Sequence, residues 1–218
     1  MRFTDRSRTE TDWHCPRRRY WNYEYQRRGI EPLAPNFDQA FGLAVHEGLA
    51  ALGQAYRRPP IPAGEEFPVS VALGQLPVSV QGGEWAAIAE GMIRGFARHI
   101  WPTLTTQTKI IAIEEELNLL LDAELIYMAR PDLLVRDKQT GEYWYIEYKT
   151  TGYQDTKWLA SWSRSPQLQA NISVIEQVMG ITVAGVRVSG LYKVRKDYQS
   201  GAQISPCSYG LLNEAVPG

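Results

Sequence analysis

Apolar residues recur at helical spacing along one stretch of the chain, where Phe37, Ala40, Phe41, Ala44, Val45, Leu49 and Leu52 fall on a single face. Asn36 or Asp38 can cap the start of that helix, His46 lies inside it, and Gly42 stands one turn before the histidine. Upstream, Pro16 suits a first helical position and Gly29 a stop, so residues 16 to 28 also predict a helix. Residues 57 to 82 are rich in proline and glycine and predict a connector. Glu84 to Ile100 then returns to helical periodicity, which Pro102 ends. From Lys109 the period drops to two: Ile111, Ile113, Glu115, Leu117 and Leu119 alternate with Ala112, Glu114, Glu116 and Asn118. This predicts the first strand of a meander that continues through Glu124 to Val135 and Tyr143 to Thr150, with a turn over Lys138 to Gly141. Ser165 and Pro166 open a helix from Gln167 to Met179, closed by Gly180, and Val183 to Val194 reads as a last strand. That strand can return parallel to an earlier one across the helix. The pattern therefore predicts an α/β or α+β domain, with a central mixed β-sheet flanked by helices. Residues 1 to 105 form a mainly helical N-terminal part and residues 106 to 218 the sheet core of a single domain.

Composition narrows the class only a little. A hydrophobic fraction of 44% and a charged fraction of 22% fit an ordinary folded chain. No apolar run follows Met1 to Arg6 and no window is long enough to span a bilayer, which predicts a cytoplasmic protein with no membrane partner. Cys15 and Cys207 are too few for a four-thiolate metal site. A net charge of −1 does not advertise a nucleic-acid binder, but the charge is unevenly spread. Arg17, Arg18, Arg19, Arg27 and Arg28 crowd one short stretch, interleaved with Tyr20, Trp21, Tyr23 and Tyr25 and opposed by the acid Glu24. Guanidinium groups clamp phosphates and aromatic rings stack on bases, so this is the make-up of a nucleic-acid-facing helix. An amphipathic surface helix has the same composition.

The candidate chemistry lies in Arg130-Pro131-Asp132 and in Ile146-Glu147-Tyr148-Lys149. Side chains alternate along a strand, so Tyr143, Tyr145, Glu147 and Lys149 share one face while Trp144, Ile146 and Tyr148 take the other. If Asp132 lies across from that face, two carboxylates converge on a site for a hard divalent cation. A lysine beside it can orient a water molecule or offset charge building on a phosphate. An alternating Glu and Lys face also arises as a solvated surface or a cross-strand ion pair.

Taken in order, these segments resemble the PD-(D/E)XK nuclease superfamily, and within it the RecB-like and phage-type exonucleases. Cys15 to Trp21 resembles their Cys-Pro-x-x-Tyr opening, Gly42 to Glu47 their Gly-x-x-x-His helix, Arg130 to Asp132 their aspartate motif, and Glu147 to Thr150 their Glu-x-Lys motif. Gln167 to Asn171 sits where that family places a Gln-x-x-x-Tyr helix. The resemblance implies a restriction-endonuclease-like core and a metal-dependent DNA nuclease, more an exonuclease than a sequence-specific endonuclease, serving recombination, repair or phage and defence processing in a prokaryotic or phage-infected cell. It implies that Asp132, Glu147 and the main-chain carbonyl of Tyr148 hold Mg²⁺ or Mn²⁺, with His46 completing the shell, Lys149 acting on water and phosphate charge, and Gln167 facing the substrate or buttressing the site. Taken alone, His46 on a mostly apolar helix reads instead as a histidine satisfied within the core. Glu114 or Glu116 is a further carboxylate candidate, and either also reads as surface charge. Arg17, Arg18, Arg19 and Tyr20 are the DNA-contacting candidates, with single strands or duplex ends as partner.

Two departures stand out. Many relatives carry an iron–sulfur cluster on one early and three late cysteines, whereas only Cys15 and Cys207 stand here, so no cluster is expected. Asn171 replaces the usual tyrosine, which leaves Gln169 as a competitor to Gln167. The rival readings are a nuclease-fold DNA-binding subunit without turnover, and a sheet protein that binds a small acidic ligand. The first sits badly with intact Asp132, Glu147 and Lys149, and the second leaves the arginine–aromatic stretch unexplained.

Overall fold

The alternating positions from residue 108 onward, joined by a short strand at residues 2–4, sort into two mixed sheets. A computed structural model describes residues 2–27, 29–30, 37–57, 74, 83–151, 156–163, 165–192 and 216–217. The first half carries β1 (Arg2–Thr4), α1 (Arg6–His14), α2 (Pro16–Arg19), a π turn over Tyr20–Glu24, a 3-10 turn over Tyr25–Arg27, α3 (Phe37–Arg57), α4 (Gly83–His99) and α5 (Trp101–Gln107). The second carries β2 (Thr108–Ile113), β3 (Leu117–Leu120), β4 (Leu125–Ala129), β5 (Leu133–Asp137), β6 (Tyr143–Thr151), α6 (Thr156–Trp162), α7 (Pro166–Met179), β7 (Val183–Tyr192) and β8 (Val216–Pro217). The larger sheet has the order β2-β5-β6-β7-β8 and the smaller one β1-β4-β3. β6 and β7 run parallel, as a crossover through α7 requires, while β2–β5 and β5–β6 are antiparallel.

Alternation along the central strands divides the core into two layers. Leu133, Val135, Ile146 and Tyr148 pack with Phe41, Val45 and Leu52 of α3 and with Met92, Ile93 and Phe96 of α4. On the opposite face Leu134, Tyr145, Val186 and Val188 pack with Leu168, Ile172 and Ile175 of α7 and with Leu117 and Ala129 of the smaller sheet. The larger sheet is thus covered by helices on both sides, a restriction-endonuclease-like arrangement.

Five expectations change. The single strand from Lys109 breaks at Glu114, whose φ of 47° is left-handed backbone that carries the chain from the larger sheet to the smaller one. Glu124 to Val135 is likewise two strands, split around Pro131 and Asp132. Pro102 does not stop α4; the break falls at Ile100, and Pro102 sits in the first turn of α5, where its missing N–H costs nothing. The helix expected over residues 16 to 28 narrows into α2, the π turn and the 3-10 turn, with Gly29 at φ 78° beyond them. Asp38 falls inside the first turn of α3 rather than at its cap, and Asn36 lies outside the described residues, as does most of the expected connector. The helix over α1 has no counterpart in the apolar pattern because it buries no residue; Asp5 caps it by accepting from the Arg8 amide at 2.9 Å.

Candidate active site

The break at Glu114 builds the site. Its amide donates to the Asp132 carbonyl at 3.0 Å, so the end of β2 and the start of β5 meet, and the αL turn swings the Glu114 carboxylate inward. Asp132 is nearly buried, and its Oδ2 accepts from the Tyr148 main-chain N–H at 2.6 Å. That bond fixes the carboxylate against β6 and leaves Oδ1 facing α3, where His46 Nδ1 lies 3.2 Å away. His46 Nδ1 is also 3.8 Å from Glu114 Oε1, and Arg130 Nε reaches both Glu114 Oε2 at 3.3 Å and the Glu114 carbonyl at 3.0 Å. α3 can bring His46 this close because Gly42, one turn earlier, meets β6: a Cβ there would lie 3.1 Å from Thr150 Oγ1. Burial opposes a charge on His46. The hydrogen bonds of Asp132 and Glu114, with the charge of Asp132, more than offset that, and push its pKa up to about 10.

Glu147 stands beside this group, 1% exposed. Its Oε1 accepts from Lys149 Nζ and from Gln167 Nε2, the latter at 2.7 Å, and its Oε2 accepts from the Tyr145 hydroxyl. Burial raises the Glu147 pKa to about 7, aided by the charge of Asp132 and opposed by Lys149. The Lys149 ammonium also lies over the Trp162 ring of α6, 5.1 Å from its centre, so the lysine is gripped between a carboxylate and an aromatic face.

Among the described residues, ligating atoms of His46, Glu114 and Asp132 lie within 4.8 Å of one another. Two carboxylates and an imidazole offer oxygen and nitrogen donors suited to a divalent cation. The carboxylate grouped with Asp132 and His46 is therefore Glu114, at the end of β2, while Glu147 of β6 pairs with Lys149 and with Gln167 of α7. Tyr148 reaches Asp132 through its amide, with its ring against Phe96 at 5.2 Å between centres. Glu116 is not brought to the site: beyond the left-handed turn it is exposed and accepts from Asn118 at 3.0 Å. Arg17 and Arg18 are exposed on α2, whereas Arg19 pairs with Glu24 at 3.0 Å. Tyr20 is half exposed and packs with Trp21 and Tyr25. Gln167 rather than Gln169 points inward, Gln169 being exposed. Cys15 is exposed and Cys207 lies outside the described residues. Tyr145 and Trp162 are site neighbours that the motifs do not mark, and Asn171, which stands where the resembled motif has tyrosine, is a third.

These pKa values set a pH dependence. A cation held by His46 must displace its proton, so apparent affinity rises with pH, by up to about tenfold per unit while the imidazolium persists. Because both pKa values are raised, the metal-free fold holds these protons more tightly than the unfolded chain. Their stabilising effect is full at low pH and fades as pH rises, through about 7 for Glu147 and about 10 for His46. Mn²⁺ calorimetry between roughly pH 6.5 and 8.5, in buffers of different ionisation enthalpy, should register about one proton released per ion bound at the upper end. Affinity that is flat with pH would remove His46 from the ligands.

A family model of the PD-(D/E)XK nuclease superfamily matches residues 6–201 of the chain. No curated protein matches it. No described helix is long and apolar enough to cross a membrane.

Proposed function

The chain belongs to the PD-(D/E)XK nuclease superfamily, and from that premise we propose that it is a Mg²⁺- or Mn²⁺-dependent deoxyribonuclease, an exonuclease acting on single strands or duplex ends. The observation that carries this reading is the meeting of His46, Glu114 and Asp132 next to the Glu147–Lys149 pair. Asp132, Glu114 and His46 would hold the cation, with Glu147 and the Tyr148 carbonyl turned to the same space. The bound ion would polarise the phosphoryl group and lower the cost of forming hydroxide from water. Lys149 orients the attacking water and offsets charge on the phosphate oxygens as the P–O bond breaks. The 5′-phosphate and 3′-hydroxyl products follow from in-line attack with the 3′ oxygen leaving.

A cleft lined by Arg6, Arg130, Gln167 and Asn171, and also by the acids Asp5 and Glu116, runs from Gln167 to the start of α1. This supports a strand passing from the metal group toward the N-terminal helices, where exposed Arg17 and Arg18, with Tyr20 and Arg19 beside them, supply phosphate and base contacts. One domain over residues 1 to 218 is the simplest unit for this activity, in a recombination, repair or defence setting.

The test is incubation of end-labelled linear and circular DNA, single- and double-stranded, with Mg²⁺, Mn²⁺ or chelator. Linear substrates should be degraded from their ends, circles spared, and chelator should stop the reaction. Cleavage that survives exhaustive chelation would overturn the metal mechanism, and nicking of circles would overturn the exonuclease. Tight DNA binding with no cleavage under any metal would favour a nuclease-fold binding subunit.

A further inference from the structure

Among the described residues, Glu147 Oε1 has two donors and Oε2 has one, the hydroxyl of Tyr145. Tyr145 is 0% exposed and shares the strand face of Glu147, two residues away. Behind its hydroxyl lies Asn171 Nδ2 at 2.8 Å, also buried. Donor accounting fixes the direction of this chain. An amide NH₂ only donates, so the hydroxyl accepts from Asn171, and its single proton is left for Glu147, whose ionised carboxylate only accepts. Gln167 and Asn171 are four residues apart on α7, so one helix face holds both oxygens of Glu147, one directly and one through the tyrosine. Without that hydroxyl a buried carboxylate oxygen would lose its donor, and Glu147 would turn away.

We propose that Tyr145 is a positioning residue for Glu147, oriented in turn by Asn171, and that this pair governs how firmly the site holds a divalent cation. It rests on the reading of Glu147 as part of the metal site, and it assigns work to Tyr145, which no motif marks, and to Asn171, which departs from the resembled one. A tyrosine that is merely packed there would affect stability alone.

The test uses Tyr145→Phe, which keeps the ring and its packing, together with Asn171→Leu and the double variant, all in the full chain. Mn²⁺ affinity measured by calorimetry without DNA should fall about tenfold in Tyr145→Phe, in the range seen when partners behind metal ligands are removed. Asn171→Leu should move it the same way, by about threefold, and the double variant should match Tyr145→Phe, because Asn171 acts through the hydroxyl. In DNA cleavage the metal concentration for half-maximal rate should rise in step while KM for DNA stays within about twofold. Mn²⁺ affinity and cleavage unchanged in Tyr145→Phe, with only the melting temperature lowered, would overturn the proposal, and so would a parent chain that binds no Mn²⁺. Additive effects in the double variant would overturn the role of Asn171. If the parent binds Mn²⁺ but cuts no nucleic acid, the titration still decides the proposal while the nuclease reading falls.

Discussion

Asp132→Asn should lower DNA cleavage by about a thousandfold or more, on the order of 4 kcal/mol of lost transition-state stabilisation, by emptying the metal site and not by unfolding the protein. Tyr148 N–H donates to Asp132 Oδ2 at 2.6 Å, and an asparagine can accept that bond only through its carbonyl oxygen. The amide NH₂ then faces His46 in place of Oδ1. A donor in that position hydrogen-bonds a neutral imidazole but repels a cation, so the site loses a charge and an oxygen ligand at once. The change also removes the strongest influence holding a proton on His46. Its pKa should fall from about 10, since burial, which opposes the charge, would then be countered chiefly by Glu114. Three readings separate the outcomes: cleavage, Mn²⁺ calorimetry, and the His46 titration followed by NMR in chelator. Lost cleavage with intact Mn²⁺ binding would mean that Asp132 acts on the substrate instead. Intact cleavage would reduce the Asp132–His46 pair to an ordinary buried ion pair.

What the sequence makes legible follows from the range of each interaction. Glu147 and Lys149 were readable because a two-residue strand period fixes their common face, and His46 because Gly42 and the apolar stripe fix the face of α3. Glu114 was readable only as one of two candidates. Strict alternation puts it on one face with Glu116, and nothing local announces that a glutamate will adopt a φ of 47° and send the two side chains apart. The parallel return of β7 followed from the intervening helix, but the split into two sheets depends on that same turn. Tyr145 and Asn171 are 26 residues apart, and their link exists only once α7 lies on the sheet. In the sequence Tyr145 is one of several aromatics in a strand, and Asn171 is a departure from the resembled motif with no stated compensation. Trp162 belongs to α6, which the pattern did not predict. Helix α1 was missed for the opposite reason: its polar residues are set by a cap and the Arg6–Glu10 pair, not by a buried face.

Lys149→Ala should separate catalysis from ion binding. Lys149 is not among the ligating groups, and its ammonium pairs with Glu147 Oε1 beneath the Trp162 ring. Removing it should cut kcat by about 100- to 1000-fold, the usual cost of losing one aimed donor at a developing oxyanion. Mn²⁺ affinity, measured above the raised Glu147 pKa where that carboxylate is ionised, and DNA affinity, measured in Ca²⁺ to suppress turnover, should stay within about threefold of the parent, since an interaction made in the transition state contributes little to the ground state. The structure adds a second consequence. Lys149 is the main influence holding the Glu147 pKa down against burial and Asp132, so in the variant that carboxylate should titrate above about 7. The residual rate should therefore climb with pH over a range where the parent has levelled off, because Glu147 must lose its proton before the site is complete. Lys149→Arg restores the charge but exchanges a compact ammonium for a planar fork, and should recover the pH profile more fully than the rate. A Lys149→Ala variant that cleaves at the parent rate would leave the Glu-x-Lys segment an ion pair on a β-hairpin. One that loses Mn²⁺ binding along with turnover would make Lys149 a support for Glu147 and not a participant in the reaction.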